Sequence, residues 1–333
     1  MSTSFLASKI SCLAVIGSGV GMLLSDAARA QPYPSRPVKI VTQAAAGSAI
    51  DVLLRVVSNQ MAKSWTSGVV IENRAGAGGA LAAGTVAGAA KDGYTLLHAA
   101  ASLYTVYPAE SAKPALDPDR DLVPVAYMGD LPLVIAVPKL QPSMTLGQLI
   151  GEARKAPGVL NVGTNGTGTF PWLAATLLIE KAGAPMTIVP YARGGAPAIL
   201  NDILGGRLHV TVEAISGLKG AVESGELRPL AVTTASRLPG LPNLPTAAET
   251  VPGFTALGWS VLAAPAGTPE AVMNEIDRAV KTALADAKVR EQLANLSVYP
   301  RTKTATELRQ FITTEQQTWW PRVRVHAATA SSK

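Results

Sequence analysis

Residues 161–172 read NVGTNGTGTFPW, with three glycines, three threonines and no charged side chain. Such a run offers main-chain N–H groups, hydroxyls and the Asn165 amide, and carries no activated nucleophile. That set suits holding a small anion by hydrogen bonds rather than attacking a bond. A second run, Gln43 to Ile50 (QAAAGSAI), has the same small-residue character. Each stands where a strand hands over to a helix. There glycine lets a ligand approach the backbone, and the first helical amides and the positive dipole end favour negative charge. The candidate contacts are Gln43, Ala46, Gly47 and Ser48 in one loop, and Thr164, Asn165, Gly166, Thr167, Gly168 and Thr169 in the other. Ordinary tight turns with helix caps are the alternative reading of both.

Other residues able to do chemistry are few. Asp51 opens the helix after the first loop, where an aspartate commonly caps. Arg193 in YARGGAPA precedes another helix start and could meet an anion. Glu213 ends the run LHVTVE and could point into a cleft, where a carboxylate accepts from an amine or hydroxyl. His98 ends a strand and could border that cleft; His209 lies within a strand pattern and His326 in a C-terminal tail. No G-x-S-x-G elbow, phosphate-binding G-x-x-x-x-G-K-[ST] loop or H-E-x-x-H pair occurs. GAGGAL (76–81) approximates a dinucleotide loop, but leucine takes the third glycine position. No cluster of His, Cys and carboxylates has metal-ligand spacing. The sequence therefore predicts no cofactor, no metal and no catalytic residue.

The elements that would position these loops alternate along the chain. PVKIVT, GVVIENR and YTLLHA read as strands. Between them stand DVLLRVVSNQMAKSW, with Leu54, Val57, Met61 and Trp65 at helical spacing, and the small-residue helix GGALAAGTVAGAAK. The pattern restarts with TLGQLIGEARKAP as a helix, VLNVGT as a strand and PWLAATLLIEKAG as a helix with proline in its first turn. MTIVPY, APAILNDILGG, LHVTV and LRPLAVTT continue it. A last long helix runs from Pro269 to about Asp286. Alternation of this kind predicts an α/β fold of parallel sheets covered by helices on both faces. The restart predicts two lobes, with LPLVIAVP (131–138) and LGWSVLAAP (257–265) as crossing strands.

Compartment and charge set outer bounds. Lys9, the apolar stretch Ile10 to Leu24 and Ala28-Arg29-Ala30 form the pattern of a cleavable secretory leader over residues 1–30. An uncleaved N-terminal anchor is the alternative. The lone cysteine, Cys12, lies inside it, so packing rather than disulfides must stabilise the exported chain. Net charge is +6 with only 5% aromatic residues, and no basic cluster points to nucleic acid.

At YPSRPVKIVTQAAAGSAID, VVIENRAGAGGALAAGTVAGAAKDGYTLLHA, VPYARGGAPAILNDILGGRLHV, LRPLAVTTASRLPGLPNLPTAAE and LAAPAGTP the chain resembles the tripartite tricarboxylate transporter substrate-binding proteins, also called Bug proteins. The likeness runs from about Pro32 to His326. It implies a periplasmic binding protein of type II-like architecture: two Rossmann-like lobes joined by two crossing strands around a ligand cleft that shuts like a flytrap. The lobes are expected at 31–134 plus 259–333 and at 135–258. The implied partners are a small organic anion and the membrane permease subunits of a tripartite transporter, with the protein itself a monomer. A sensing module, or less readily an exported hydrolase on this fold, are the competing functions.

The resemblance places the ligand-pinning loops on Gln43 to Asp51 and Gly163 to Phe170. It adds Ala100 and Ser102, where the family has a Gly-Thr-Ser-like loop, and Glu213 and Ala214, where an Asp-Asn pair is common. Several positions depart from the pattern. Ala44 to Ala46 replace a glycine-rich part, Ile50 a polar residue, Thr164 and Asn165 two serines, and Trp172 a histidine. The backbone cradle is kept while its side chains change, which predicts a larger or less polar ligand than a short dicarboxylate.

Overall fold

The computed structural model describes residues 33–110, 114–191 and 195–331. The expected leader and Arg193 fall outside them. The chain runs β1 (Val38–Thr42), α1 (Ala49–Met61), β2 (Val69–Asn73), α2 (Ala80–Ala87), β3 (Thr95–Ala100), α3 (Ala101–Thr105), α4 (Pro118–Asp121) and β4 (Leu122–Pro138). It continues through α5 (Leu146–Lys155), β5 (Asn161–Asn165), α6 (Phe170–Ala182), β6 (Thr187–Tyr191), α7 (Gly195–Leu204), β7 (Val210–Ala214), α8 (Ile215–Glu223) and β8 (Leu227–Val232). Last come β9 (Leu257–Pro265), α9 (Glu270–Ala285), α10 (Ala287–Asn295) and α11 (Ala305–Ser331).

The α/β expectation holds, with one correction. The sheet is mixed: its order is β2-β1-β3-β9-β4-β7-β5-β6, with β8 also on β4. β1 is parallel to β2 and β3, and β5 to β6 and β7. β4 is antiparallel to β7, β8 and β9, and β9 is antiparallel to β3. A strand buried on both faces reads as a continuous apolar run in either direction, so composition did not reveal the reversal.

β4 is the element shared by the two halves of the sheet. From Leu122 to Pro132 it pairs with β9; from Leu133 to Pro138 it pairs with β7 and β8. The other expected crossing run, Leu257–Pro265, stays beside β3 and β4 in the first half. The return passage lies just before it, where the Ala256 N–H donates to the Thr233 carbonyl and the Thr233 N–H to that of Leu133. Both passages are thus stitched together around Thr233.

Helices cover both faces. In the first half, Leu53, Leu54, Val57 and Met61 of α1 pack with Ile276 and Val280 of α9 beneath Val38, Ile40 and Leu262. Trp65 lies four residues beyond the end of α1, yet it is buried there and donates Nε1–H to Glu275 at 3.2 Å. In the second half, Ile199 and Ile203 of α7 and Leu218 of α8 pack on Val134 and Ala136. The opposite faces of both halves share one core, holding α2, α5, α6 and α11.

The chain does not finish at Asp286 with a tail, as the sequence reading expected; α10 and α11 follow. Leu308, Ile312, Trp319 and Val323 of α11 are buried at helical spacing. The signal was diluted by polar residues between them and by Pro321 inside the helix.

Candidate functional site

The carboxyl ends of β1 and β3 in one half-sheet, and of β5 and β7 in the other, carry the loops that matter. In open α/β sheets ligands bind at such ends.

The first loop is held by a polar network. Ser48, not Asp51, caps α1: its Oγ accepts from the Asp51 N–H at 3.4 Å. The Asp51 carboxylate, 1% exposed, reaches back to accept from the Gly47 N–H at 2.9 Å. It also accepts from Arg55 Nε at 2.8 Å and from Asn73 Nδ2 at 2.7 Å. Burial would raise the pKa of Asp51, but these donors outweigh it and hold the carboxyl below its usual range. Asn73 Nδ2 further donates to the Ala44 carbonyl at 3.0 Å. Asp51 is therefore spent on shaping the loop, with Asn73 as a co-anchor that sequence reasoning missed. Ala46 and Gly47 are exposed at the loop's crest.

Gln43 and Ser102 come together. Gln43 Nε2 donates to Ser102 Oγ at 2.9 Å, and Ser102 Oγ donates to the Gly78 carbonyl at 3.3 Å. Ser102 follows Ala100, which is the buried residue preceding α3. Gly78 belongs to a third loop, Gly76-Ala77-Gly78-Gly79, whose φ values are 134°, 47°, 61° and 107°. This left-handed stretch explains its glycines better than a nucleotide site does. The GAGG run, which approximates a dinucleotide loop in sequence, is tied instead through Gly78 to Ser102 and Gln43.

The second loop faces it. A Cβ on Gly78 would lie 3.6 Å from the Gly168 carbonyl oxygen, and one on Gly168 would lie 3.1 Å from Glu110 Oε1. Thr169 precedes α6 without capping it through its side chain. Its buried Oγ1 has no hydrogen-bond partner, and neither do Gln43 Oε1 or Asn165 Oδ1. Thr164 is buried and bonds locally, its Oγ1 donating to the Asn165 carbonyl at 2.9 Å. Thr167 is exposed and Gly166 half-buried. Buried polar atoms of native proteins are nearly always satisfied, so orphans in both facing loops make this the candidate binding place.

Glu213, next to last in β7, is 4% exposed. Its Oε1 accepts from the adjacent Ala214 N–H at 2.7 Å, while Oε2 has no partner. Burial pushes its pKa up to about 7, against the pull of that N–H.

The histidines do not build a catalytic pair. His98 is fully buried, with Nδ1 3.2 Å from Thr42 Oγ1, and burial pushes its pKa down to about 3. A group so reluctant to take a proton is a poor general base. His209 Nδ1 accepts from the Asn161 N–H at 3.0 Å, and His326 falls within α11. Among the described residues no group of three or more His, Cys, Asp or Glu could hold a metal.

Residues 53–325 match the family described as the tripartite tricarboxylate transporter family receptor. The chain belongs to that family. Protein BugT of Bordetella pertussis is 33% identical over 314 residues, covering 92% of this chain and 95% of BugT. A protein from the tcbD–tcbE intergenic region of a Pseudomonas species is 34% identical over 298 residues, covering 88% and 87%. Among solved structures, Rpa4515 of Rhodopseudomonas palustris with adipate superposes with a TM-score of 0.82 at 30% identity, covering 89% of this chain and 98% of that one. MatC of the same species, with bound malate, gives 0.79 at 31%, covering 87% and 100%. The periplasmic binding protein BugD gives 0.80 at 28%, covering 89% and 99%. This tripartite tricarboxylate receptor is thus a solute-binding protein rather than an enzyme, as its family and structural neighbours are. No described helix is long and apolar enough to cross a membrane.

Proposed function

We propose that this receptor captures a small organic anion through its carboxylate, between two lobes, and delivers it to a tripartite tricarboxylate-type permease. The lobes of this reading are residues 31–134 plus 259–333 and residues 135–258. The change of partners along β4 at Pro132/Leu133 and the return passage at Thr233/Ala256 support that division. The observation that carries the reading is the apposition of Gly78 and Gly168, with the unpartnered Thr169 hydroxyl, a possible donor, in the same loop as Gly168.

In this reading the amides of Gly166, Thr167 and Gly168 and that of Ala46 grip the carboxylate, the Gly47, Ser48 and Thr169 amides being used within the loops. Thr164, Asn165, Ala100 and Ser102 shape the walls, and Asp51 holds the first cup in place. Main-chain donors suit a carboxylate because they are fixed in direction and bring no counter-charge of their own. The binding of adipate by Rpa4515 and of malate by MatC supports the ligand class. Likeness to the periplasmic BugD supports a periplasmic location, reached through a leader cleaved near Ala30. One cleft between two lobes needs no second chain, so the protein acts as a monomer.

A thermal-shift screen of the mature protein against aliphatic and aromatic acids tests the proposal. A ligand binding only the folded form stabilises it by about 4 kcal/mol at a thousandfold excess over Kd. At least one acid should raise the melting temperature. The side-chain departures favour acids larger than succinate. If no acid of either kind shifts the transition, the proposal fails.

A further inference from the structure

The connection between α10 and α11 also spans the two halves of the sheet. Val298 is buried in the core of the first half, the cluster that holds Met128 and Leu293. The next residue, Tyr299, packs against the core of the second half, which holds Val134, Leu218 and Leu238. On the first side the segment is fastened by its backbone. The Asp130 N–H donates to the Tyr299 carbonyl at 2.9 Å, and the Tyr299 N–H to the Asp130 carbonyl at 3.1 Å. The Asp130 carboxylate then accepts from Arg301 Nε at 2.7 Å and from the Tyr127 hydroxyl at 2.6 Å. Gly129 permits the close approach: a Cβ there would lie 3.0 Å from the Tyr299 carbonyl oxygen and 3.2 Å from Pro300 Cα. All of this sits on the stretch of β4 that pairs with β9, just before the change of partner at Pro132/Leu133.

On the second side the holds are side chains. The Tyr299 hydroxyl reaches the turn from Leu238 to Leu241, where a Cβ on Gly240 would lie 3.4 Å from it. Burial raises the pKa of Tyr299 against the pull of a hydrogen bond with the Gly240 backbone. Lys219 of α8 donates Nζ–H to the Asn295 carbonyl. The turn belongs with β8, whose Val232 N–H donates to the Pro245 carbonyl beyond it. Rotation of one half against the other about Pro132/Leu133 and Thr233/Ala256 therefore has to move Tyr299 relative to Gly240, and Asn295 relative to Lys219. A contact shifts a two-state equilibrium only by its difference between the states. These contacts are made in the arrangement that brings Gly78 against Gly168.

We propose that Tyr299, with Lys219, is a latch between the halves that favours the closed arrangement and so sets ligand affinity from outside the binding loops. This inference rests on the two-lobe reading above and adds the element that governs the closing equilibrium. It does not depend on which acid is bound. Loss of the latch lowers the population of the binding-competent form, and apparent affinity falls by the same fraction.

The test is a distance measurement between the halves. Beyond Cys12 the sequence has no cysteine, so Lys63→Cys and Leu140→Cys, at exposed positions of different halves, take a spin-label pair cleanly. Without any acid, Tyr299→Ala should cut the closed population about threefold or more relative to the parent, and Lys219→Met should cut it by less. Tyr299→Phe, which keeps the ring and loses the hydroxyl, should fall between the parent and Tyr299→Ala. Titration with adipate and malate should show affinity falling by the same factor. Circular dichroism checks folding; if Tyr299→Ala does not fold, Tyr299→Phe and Lys219→Met carry the test. Parent and variant distributions that coincide, yet move when adipate or malate is added, overturn the latch and leave closure standing. So does a loss of affinity with no change of distribution, which marks local damage. A single distance in every protein, with and without the acids, overturns the two-lobe reading and the latch with it. A shifted distribution in a protein that binds neither acid supports the latch and counts only against those acids as ligands.

Discussion

Gly78 and Gly168, 90 residues apart in the chain, meet so closely that a Cβ on the first would stand 3.6 Å from the carbonyl oxygen of the second. One lies in the loop after β2, the other in the loop after β5. Gly168 also has φ +79°, a conformation side chains rarely adopt. Gly168→Val should cost about 1–2 kcal/mol in backbone strain and leave the fold standing. Its Cβ would enter the space beside Glu110, and ligand affinity should be lost. Titration with an acid found in the thermal screen, beside a circular dichroism spectrum, checks this; unchanged affinity would refute the cradle.

Asp51 is the keystone of the first loop, since one buried carboxylate serves Gly47, Arg55 and Asn73 together. Asp51→Ala should leave those donors without their acceptor and destabilise the protein by about 3 kcal/mol, in the range for breaking a buried charged network. Ligand affinity should fall further than stability predicts, because Gly47 is released. Asp51→Asn keeps the shape and should sit between the two. Urea unfolding and ligand titration on the same preparations separate these effects.

His98 makes stability acid-sensitive. In the unfolded chain it takes a proton near pH 6.5, while burial in the folded protein holds its pKa down to about 3. The unfolded state therefore binds more protons between those values. The stability contributed by neutral His98 is complete above pH 6.5 and is lost as pH falls toward 3. Going from pH 6.5 to pH 5 should cost about 2 kcal/mol from this group. His98→Gln should remove that slope, so its stability deficit against the parent narrows at pH 5. Parallel pH dependences for the two proteins would contradict the assignment.

Phe170 begins α6 directly after the second loop, and its ring stands 5.2 Å from that of Trp319 in α11 at 78°. The C-terminal helix thereby buttresses the candidate anion cup. Trp319→Ala should cost about 3–5 kcal/mol, as for other large-to-small core changes. Trp319→Phe should cost less and retain binding. If Trp319→Ala left the melting temperature unchanged, the buttress would carry no weight.

Periodicity and small-residue runs made the candidate cups and most of the α/β elements legible in the sequence. Leu54, Val57 and Met61 mark one helical face, and glycines beside threonines mark loops that a ligand can approach, because these are local properties. Strand direction was not local. β4 and β9 are as apolar as a parallel strand would be, and only pairing fixed them as antiparallel. α11 was hidden because its buried stripe is sparse and becomes visible only against the core it completes.

The sequence by itself determined that a single cysteine leaves no intrachain disulfide, that no phosphate loop or catalytic motif occurs, and that two small-residue loops precede helices. Tertiary structure decided what those loops are for one another. It turned Asp51 inward to hold a loop, brought Gly78 against Gly168, and left one side-chain oxygen each of Glu213 and Asn165 buried without a partner. Residue type sets what a group can bond, but hydrogen bonds act only within about 3 Å, and only folding brings distant groups into that range.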